Sequence, residues 1–171
     1  MDMNRRRHLA LSLGLVATAP LAGLGLGGCS AREAAPDVGY TLLDGQRRTF
    51  KAQQGKVMLV NFWATSCTTC MHEMPRIIET HQKFKARGFD TLAVAMSYDP
   101  PAYVAHYAES RQLPFGVAID NTGAVAKAFG DVRLPPPTFL VDKRGGIVKK
   151  FVGEPDFAAL HGLIEDLLKE A

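Results

Sequence analysis

Two cysteines, Cys67 and Cys70, stand two residues apart where an apolar run gives way to an amphipathic one. Val57-Met58-Leu59-Val60 leads through Asn61-Phe62-Trp63-Ala64-Thr65-Ser66 to the pair, and Ile77, Ile78 and Phe84 follow at roughly helical spacing. A strand, a turn and a helix opening on C-x-x-C make the arrangement of a thiol–disulfide redox site. At a helix N-terminus a thiolate faces unpaired backbone N–H groups and the positive end of the macrodipole, so Cys67 is expected to ionise more readily than a free cysteine. Cys70 lies one turn on, close enough to attack a mixed disulfide at Cys67. Two cysteines could instead bind zinc, but a structural zinc site takes four ligands, and the chain has no second C-x-x-C.

The 171 residues, 47% hydrophobic and 22% charged, suit one globular domain with a tail. The net charge of +3 comes largely from the first residues. Without residues 1–28, which hold Arg5, Arg6, Arg7 and Asp2, 17 basic side chains face 16 acidic ones, a net of +1. A near-neutral domain gives no sign of nucleic-acid binding. Arg47-Arg48 and Lys149-Lys150 read as solvated surface.

Residues 1–28 read as an export signal and stay outside the fold argument. Arg5-Arg6-Arg7 precedes the apolar run Leu9–Val16, and small residues lead to Leu26-Gly27-Gly28-Cys29. That ending resembles a bacterial lipobox, which implies lipidation of Cys29 after cleavage. Asn4–Leu9 also loosely resembles a twin-arginine signal. The competing reading is an uncleaved membrane anchor, although Pro20 and the following glycines make a poor spanning helix. Lipid on Cys29 would hold the protein on a membrane surface without spanning it. Ser30 favours the outer membrane by resemblance to lipoprotein sorting signals. Residues 29–36 then form a lipidated tether, expected to be mobile because it has little to bury.

Residues 37–171 read as one domain. Two short extended runs flank Asp44-Gly45 as a β-hairpin. Val57–Phe62 is continuous enough for a strand buried on both faces. The pattern predicts a helix from about Cys67 to Ala86, stopping near Gly88 and kinked at Pro75 inside it. A strand over 91–96, a helix over 100–111, a strand over 115–119 and a short helix over 123–129 come next. Strands over 138–141 and 147–152 flank Asp142–Gly146 as a hairpin. Asp156 is expected to cap a last helix, Phe157–Lys169. The alternation gives an α/β fold, with a mixed central sheet flanked by helices on both faces.

Phe62-Trp63-Ala64, the Cys67/Cys70 pair, Pro75 and Pro135-Pro136-Pro137-Thr138-Phe139-Leu140 resemble the thioredoxin superfamily. Val60–Trp63, Glu73-Met74-Pro75, the extra Phe115–Ile119 element and Thr138–Asp142 are similar to its TlpA/ResA-type periplasmic thiol–disulfide oxidoreductases. The resemblance covers about residues 36–170. It implies a thioredoxin fold with an N-terminal β-hairpin and a family-type β/α insertion, and dithiol–disulfide exchange through Cys67 and Cys70. The only redox group it calls for is that pair, with no other cofactor and no metal.

Three departures from the family pattern matter. Asn61 stands where thioredoxin carries a buried aspartate, and Glu73, one turn beyond Cys70, could replace it as the base that accepts the Cys70 proton. The competing reading of Glu73 is a partly exposed glutamate that favours the helix dipole. Ser66 stands where many relatives carry tryptophan, which removes an aromatic wall beside the nucleophile. The superfamily's cis-proline aligns with Pro136, or one later with Pro137, and Pro135 offers a client backbone a carbonyl but no N–H. Three trans prolines in a stiff loop are the alternative. The resemblance thus makes Trp63, Ser66, Pro135 and Pro136 candidate substrate-binding residues.

Met71, His72, Met74 and His81 could suggest copper, but Met74 and its neighbours fall on core spacing. His106 and His161 read as surface residues, and Tyr98-Asp99 as a turn. The expected activity is reduction of protein disulfides, because Thr68-Thr69 places neither charge nor histidine between the cysteines. Family analogy adds oxidised client proteins, a membrane thiol donor and cytochrome c maturation. A Cu(I) chaperone and a thiol peroxidase on the same fold are the alternatives.

Overall fold

The computed structural model describes residues 32–170. The export signal and Cys29 lie outside them. The elements are β1 (Gly39–Thr41), β2 (Arg47–Thr49), β3 (Val57–Trp63), α1 (Thr68–Phe84), β4 (Phe89–Ala95), α2 (Pro101–Ser110), β5 (Gly116–Ile119), α3 (Ala124–Ala128), β6 (Pro137–Val141), β7 (Ile147–Val152) and α4 (Phe157–Lys169). They follow the expected order closely. β1 and β2 pair antiparallel as the expected hairpin.

The main sheet has the order β5-β4-β3-β6-β7. β3 runs parallel to β4 and antiparallel to β6, so the sheet is mixed about its central strand. All seven residues of β3 are buried, the reason its sequence, Asn61 apart, is apolar on both faces rather than alternating. Alternate residues of β3 point to opposite faces. Val57 and Leu59 pack with Ile77 and Phe84 of α1 and Leu160, Ile164 and Leu167 of α4. Trp63 continues that face against Cys70 and Met74 of α1 and Val104 of α2. Met58, Val60 and Phe62 point the other way, toward Tyr40 of the hairpin, Phe50 and Phe129. Phe129 ties that side together, with ring centres 4.8 Å from Phe50, 5.6 Å from Phe62 and 5.0 Å from Phe139.

Each helix end has a local cause. Asp156 accepts hydrogen bonds from the amides of Ala158 and Ala159 and starts α4. α1 passes into a 3-10 turn, Lys85–Arg87, and Gly88 (φ 91°) reverses the chain in a conformation that disfavours a side chain. Buried Asp120 accepts from the amides of Val125 and Ala126 and so orients α3.

The expected looseness of the tether fails for residues 32–36. Ala34 bridges Gly146, the Ala35 amide donates to the Gly145 carbonyl and the Ile147 amide to the Glu33 carbonyl. Arg32 donates to Asp142 at 2.7 Å and to both carboxylate oxygens of Glu170 at 3.2 Å. Composition missed this because backbone pairing and one guanidinium, rather than apolar burial, dock the segment. This clasp sits at the β6–β7 turn. Val141 at that end of β6 pairs with Met58 near the start of β3, so the clasp lies at the opposite end of the sheet from Cys67.

Candidate active site

β3 ends at Trp63, a turn of three residues follows, and Cys67 caps the N-terminus of α1. Cys67 and Cys70 are joined by a disulfide with Cα atoms 5.3 Å apart. The Cys67 sulfur also accepts the Cys70 amide at 3.2 Å. The helix start therefore presents its unpaired amides to Cys67, as the sequence suggested. The two sulfurs are not equivalent. Cys67 is partly exposed, whereas Cys70 is fully buried against Trp63 and Met74.

Glu73 is fully buried, which removes the reading of a partly exposed, dipole-favouring residue. Asn61 of β3 and Thr138 of β6 are register partners, and the Asn61 side-chain amide donates to Glu73 Oε1 at 2.8 Å and to Thr138 Oγ1 at 2.9 Å. Glu73 Oε2 and Asn61 Oδ1 have no hydrogen-bond partner among the described residues. Burial pushes the Glu73 carboxyl up to about 7, the Asn61 hydrogen bond pulls it back, and the Glu154 carboxylate adds to the rise. A carboxyl held there changes protonation state near neutral pH, a property that a general base acting on Cys70 would need. The nearby His72 ring is exposed and lies 2.9 Å from Glu154.

The Pro135–Pro136 peptide bond is cis, and the Pro136 carbonyl accepts the Gly153 amide at 2.9 Å. Continuing the β3–β6 register places Pro136 beside Trp63, at the end of the sheet where α1 begins. Pro135, Pro136 and exposed Ser66 therefore stand around the dithiol end.

Trp63 is a correction. Its side chain is fully buried and packs 5.2 Å from the Tyr107 ring, so it forms a floor beneath Cys70 and cannot touch a client. Position 63 is the last of a strand buried on both faces, which decides its burial over any aromatic preference for binding surfaces. His161 is also less exposed than expected: it is half-buried, hydrogen-bonded to Thr80 Oγ1 at 2.9 Å and edge-on to Phe84. His81 is buried against Thr91 and Phe115, three turns beyond Cys70 on α1. His72 points into solvent, so the two do not converge with the cysteines. Among the described residues no three His, Cys, Asp or Glu side chains group as a metal site.

The Tyr98-Asp99 turn forms as expected, with the Asp99 amide donating to the Met96 carbonyl at 3.0 Å, but it also carries a contact that the sequence did not reveal. Asp99 is buried, and its carboxylate accepts the Thr65 amide at 2.6 Å and the Thr65 hydroxyl at 2.5 Å. It pins the turn that delivers Cys67. Its position just past the carboxyl end of β4, beside the end of β3, is where α/β sheets build their sites, and that placement was a usable signal.

The redoxin family model matches residues 30–164. The thiol–disulfide oxidoreductase ResA of Bacillus thuringiensis subsp. konkukian is 35% identical over 120 residues, 70% of this chain and 68% of that protein. ResA of Geobacillus thermodenitrificans is 35% identical over 119 residues, 70% of this chain and 67% of its own length. Among solved structures, a Neisseria meningitidis protein assigned to the thioredoxins superposes with a TM-score of 0.76 at 39% identity, covering 82% of this chain and 93% of that one. A thiol:disulfide interchange protein from Bacteroides sp. does so with a TM-score of 0.68 at 25% identity, covering 83% and 92%.

Proposed function

The chain belongs to the redoxin family and, within it, to the TlpA/ResA-type thiol–disulfide oxidoreductases of the thioredoxin superfamily, and from that premise we propose that it reduces disulfides in exported client proteins. Thiol–disulfide exchange itself, with protein substrates and redox partners, follows from membership together with the Cys67–Cys70 pair. The unequal exposure of the two sulfurs supports the roles within it.

The accessible Cys67 thiolate attacks a client disulfide, an S–S bond forms to one client sulfur, and the other leaves as thiolate and takes a proton from solvent. Cys70 then gives its proton to Glu73 and attacks the Cys67 sulfur, releasing the second client thiolate and closing the Cys67–Cys70 bond. Two electrons pass from the dithiol to the client, and no further redox group takes part. Pro135, Pro136 and Ser66 contact the client in this reading, while Trp63 and Asp99 act as positioning residues.

The reducing direction rests on Thr68-Thr69, which adds no charge or histidine to stabilise the thiolate further. A reductant on the periplasmic side needs an electron source, a membrane thiol donor by family analogy, and cytochrome c maturation is the pathway that analogy suggests. Attachment through lipid on Cys29, to the outer membrane by Ser30, fits a chain in which no helix among the described residues is long and apolar enough to cross a membrane.

Equilibration of the dithiol with glutathione tests the direction. A potential near about −270 mV supports the reductase, and one near about −120 mV makes the protein an oxidant. Failure to form the disulfide removes the dithiol mechanism and brings the Cu(I) reading forward. Peroxide consumption by the reduced protein would favour the peroxidase.

A further inference from the structure

The dithiol is only one part of the surface that a client covers. Beside it, between the Thr65–Ser66 turn and α2, lies an open cleft of about 450 Å³. Tyr103, His106, Tyr107 and Arg111 form its far wall, at spacings that stack side chains on one helix face. Val104, the buried residue of α2, points instead into the core. Ser66 closes the near side. Its small side chain leaves the cleft open, and it directly precedes Cys67, so a residue flanking the client's reacting cysteine reaches this space.

The walls also indicate what enters. Two tyrosine rings offer apolar faces, Tyr103 with 65% of its surface exposed. The Arg111 guanidinium stands 5.8 Å from the centre of the Tyr107 ring. No carboxylate lines the cleft, and Glu109, the one acidic residue of α2, falls outside the stripe. A cation over an aromatic wall, with no internal anion, complements a negative group with an apolar stem.

We propose that this cleft takes an Asp or Glu side chain from the client segment carrying the reacting disulfide, seated between the tyrosine rings and paired with Arg111. The inference deepens the dithiol-exchange reading and rests on it. An exposed ion pair of this kind changes the rate by up to about five-fold, the equivalent of about 1 kcal/mol.

The test measures mixed-disulfide formation between the reduced Cys70→Ser variant and peptide disulfides of one sequence, carrying Glu, Gln or Phe at each of the three positions on either side of the cysteine. In that step the Cys67 thiolate attacks, one S–S bond replaces another, and half of the peptide leaves as thiolate. The rate does not depend on the net direction of electron flow, so failure of the reductase direction leaves this measurement standing. The expected result is about three- to five-fold faster reaction with Glu than with Gln at one or more positions. The advantage disappears in Arg111→Gln, persists in Arg111→Lys and falls at high salt. Equal rates for Glu and Gln at every position overturn the proposal, as does an advantage that survives Arg111→Gln. Faster reaction with Phe than with Glu assigns the cleft to an aromatic residue and overturns it too. No reaction with any peptide overturns both this proposal and the exchange reading.

Discussion

Replacing Glu73 by glutamine keeps the shape of the buried side chain, and its hydrogen bond from Asn61, while removing its ability to ionise. In the unfolded chain the carboxyl titrates near 4.5, and in the fold burial carries it up to about 7. Between those values the folded protein holds a proton that the unfolded chain has already released. Stability therefore falls as pH rises through this window and stays low above it. A gap of about 2.5 (7 minus 4.5) corresponds to roughly 3 kcal/mol. Urea unfolding of the oxidised protein from pH 4 to 8.5 reads the effect directly. At the acid end Glu73→Gln and wild type are expected to agree within about 1 kcal/mol, and at the basic end the variant is expected to be more stable by roughly 3 kcal/mol. Burial also holds His81 and His161 below the ordinary histidine value, but both are present in each protein and cancel in the difference. In rapid-mixing experiments on the reduced variant, the second exchange step slows by about 100-fold while the first is preserved. A stability difference that stays flat with pH would refute the account of a carboxyl forced to ionise in the core.

Three further changes probe other parts of the mechanism and fold. Cys70→Ser is expected to accumulate a mixed disulfide at Cys67, visible on a non-reducing gel, whereas Cys67→Ser gives none, because buried Cys70 cannot reach a client. Asp99→Ala removes two short hydrogen bonds to Thr65. It should cost about 2–3 kcal/mol in urea unfolding and slow exchange by loosening the turn before Cys67. Burial pushes the Asp142 carboxyl up, but the bonds from Arg32 and from the Gly146 and Arg144 amides outweigh it and hold the group below its ordinary value. Arg32→Ala should therefore cost about 1 kcal/mol at neutral pH. That deficit shrinks as pH falls out of the ordinary carboxylate range and through the lowered value of Asp142, where the carboxylate is protonated in the folded wild type as well.

Those elements were legible whose cause lies within a few residues. The continuous apolar run of β3, the C-x-x-C at a helix start, Asp156 before α4 and Gly88 after α1 are local patterns with local physics. They located nearly every strand and helix. Glu73 could be named as a candidate, but its burial depends on Asn61 and Thr138, 12 residues before it and 65 after it in sequence, meeting across two paired strands. The Asp99 bond to Thr65 spans 34 residues, and the Arg32 bond to Glu170 spans 138. No window of sequence contains such pairs. Trp63 was misplaced although it closes a strand buried on both faces, and the residues that cover it, Tyr107 and Met74, arrive from two helices.

The clasp at Arg32 also fixes where residues 32–36 lie on the domain. Residue 32 lies at the heel of the domain, by the β6–β7 turn, while the dithiol sits at the toe, beyond the far end of β3. Seven residues of strand alone separate the two by about 20 Å. Under the lipid-anchor reading proposed above, the closed clasp would hold the domain by the end opposite its dithiol. Opening it would release residues 32–36, up to about 17 Å of chain, and free the position of residue 32 relative to the dithiol.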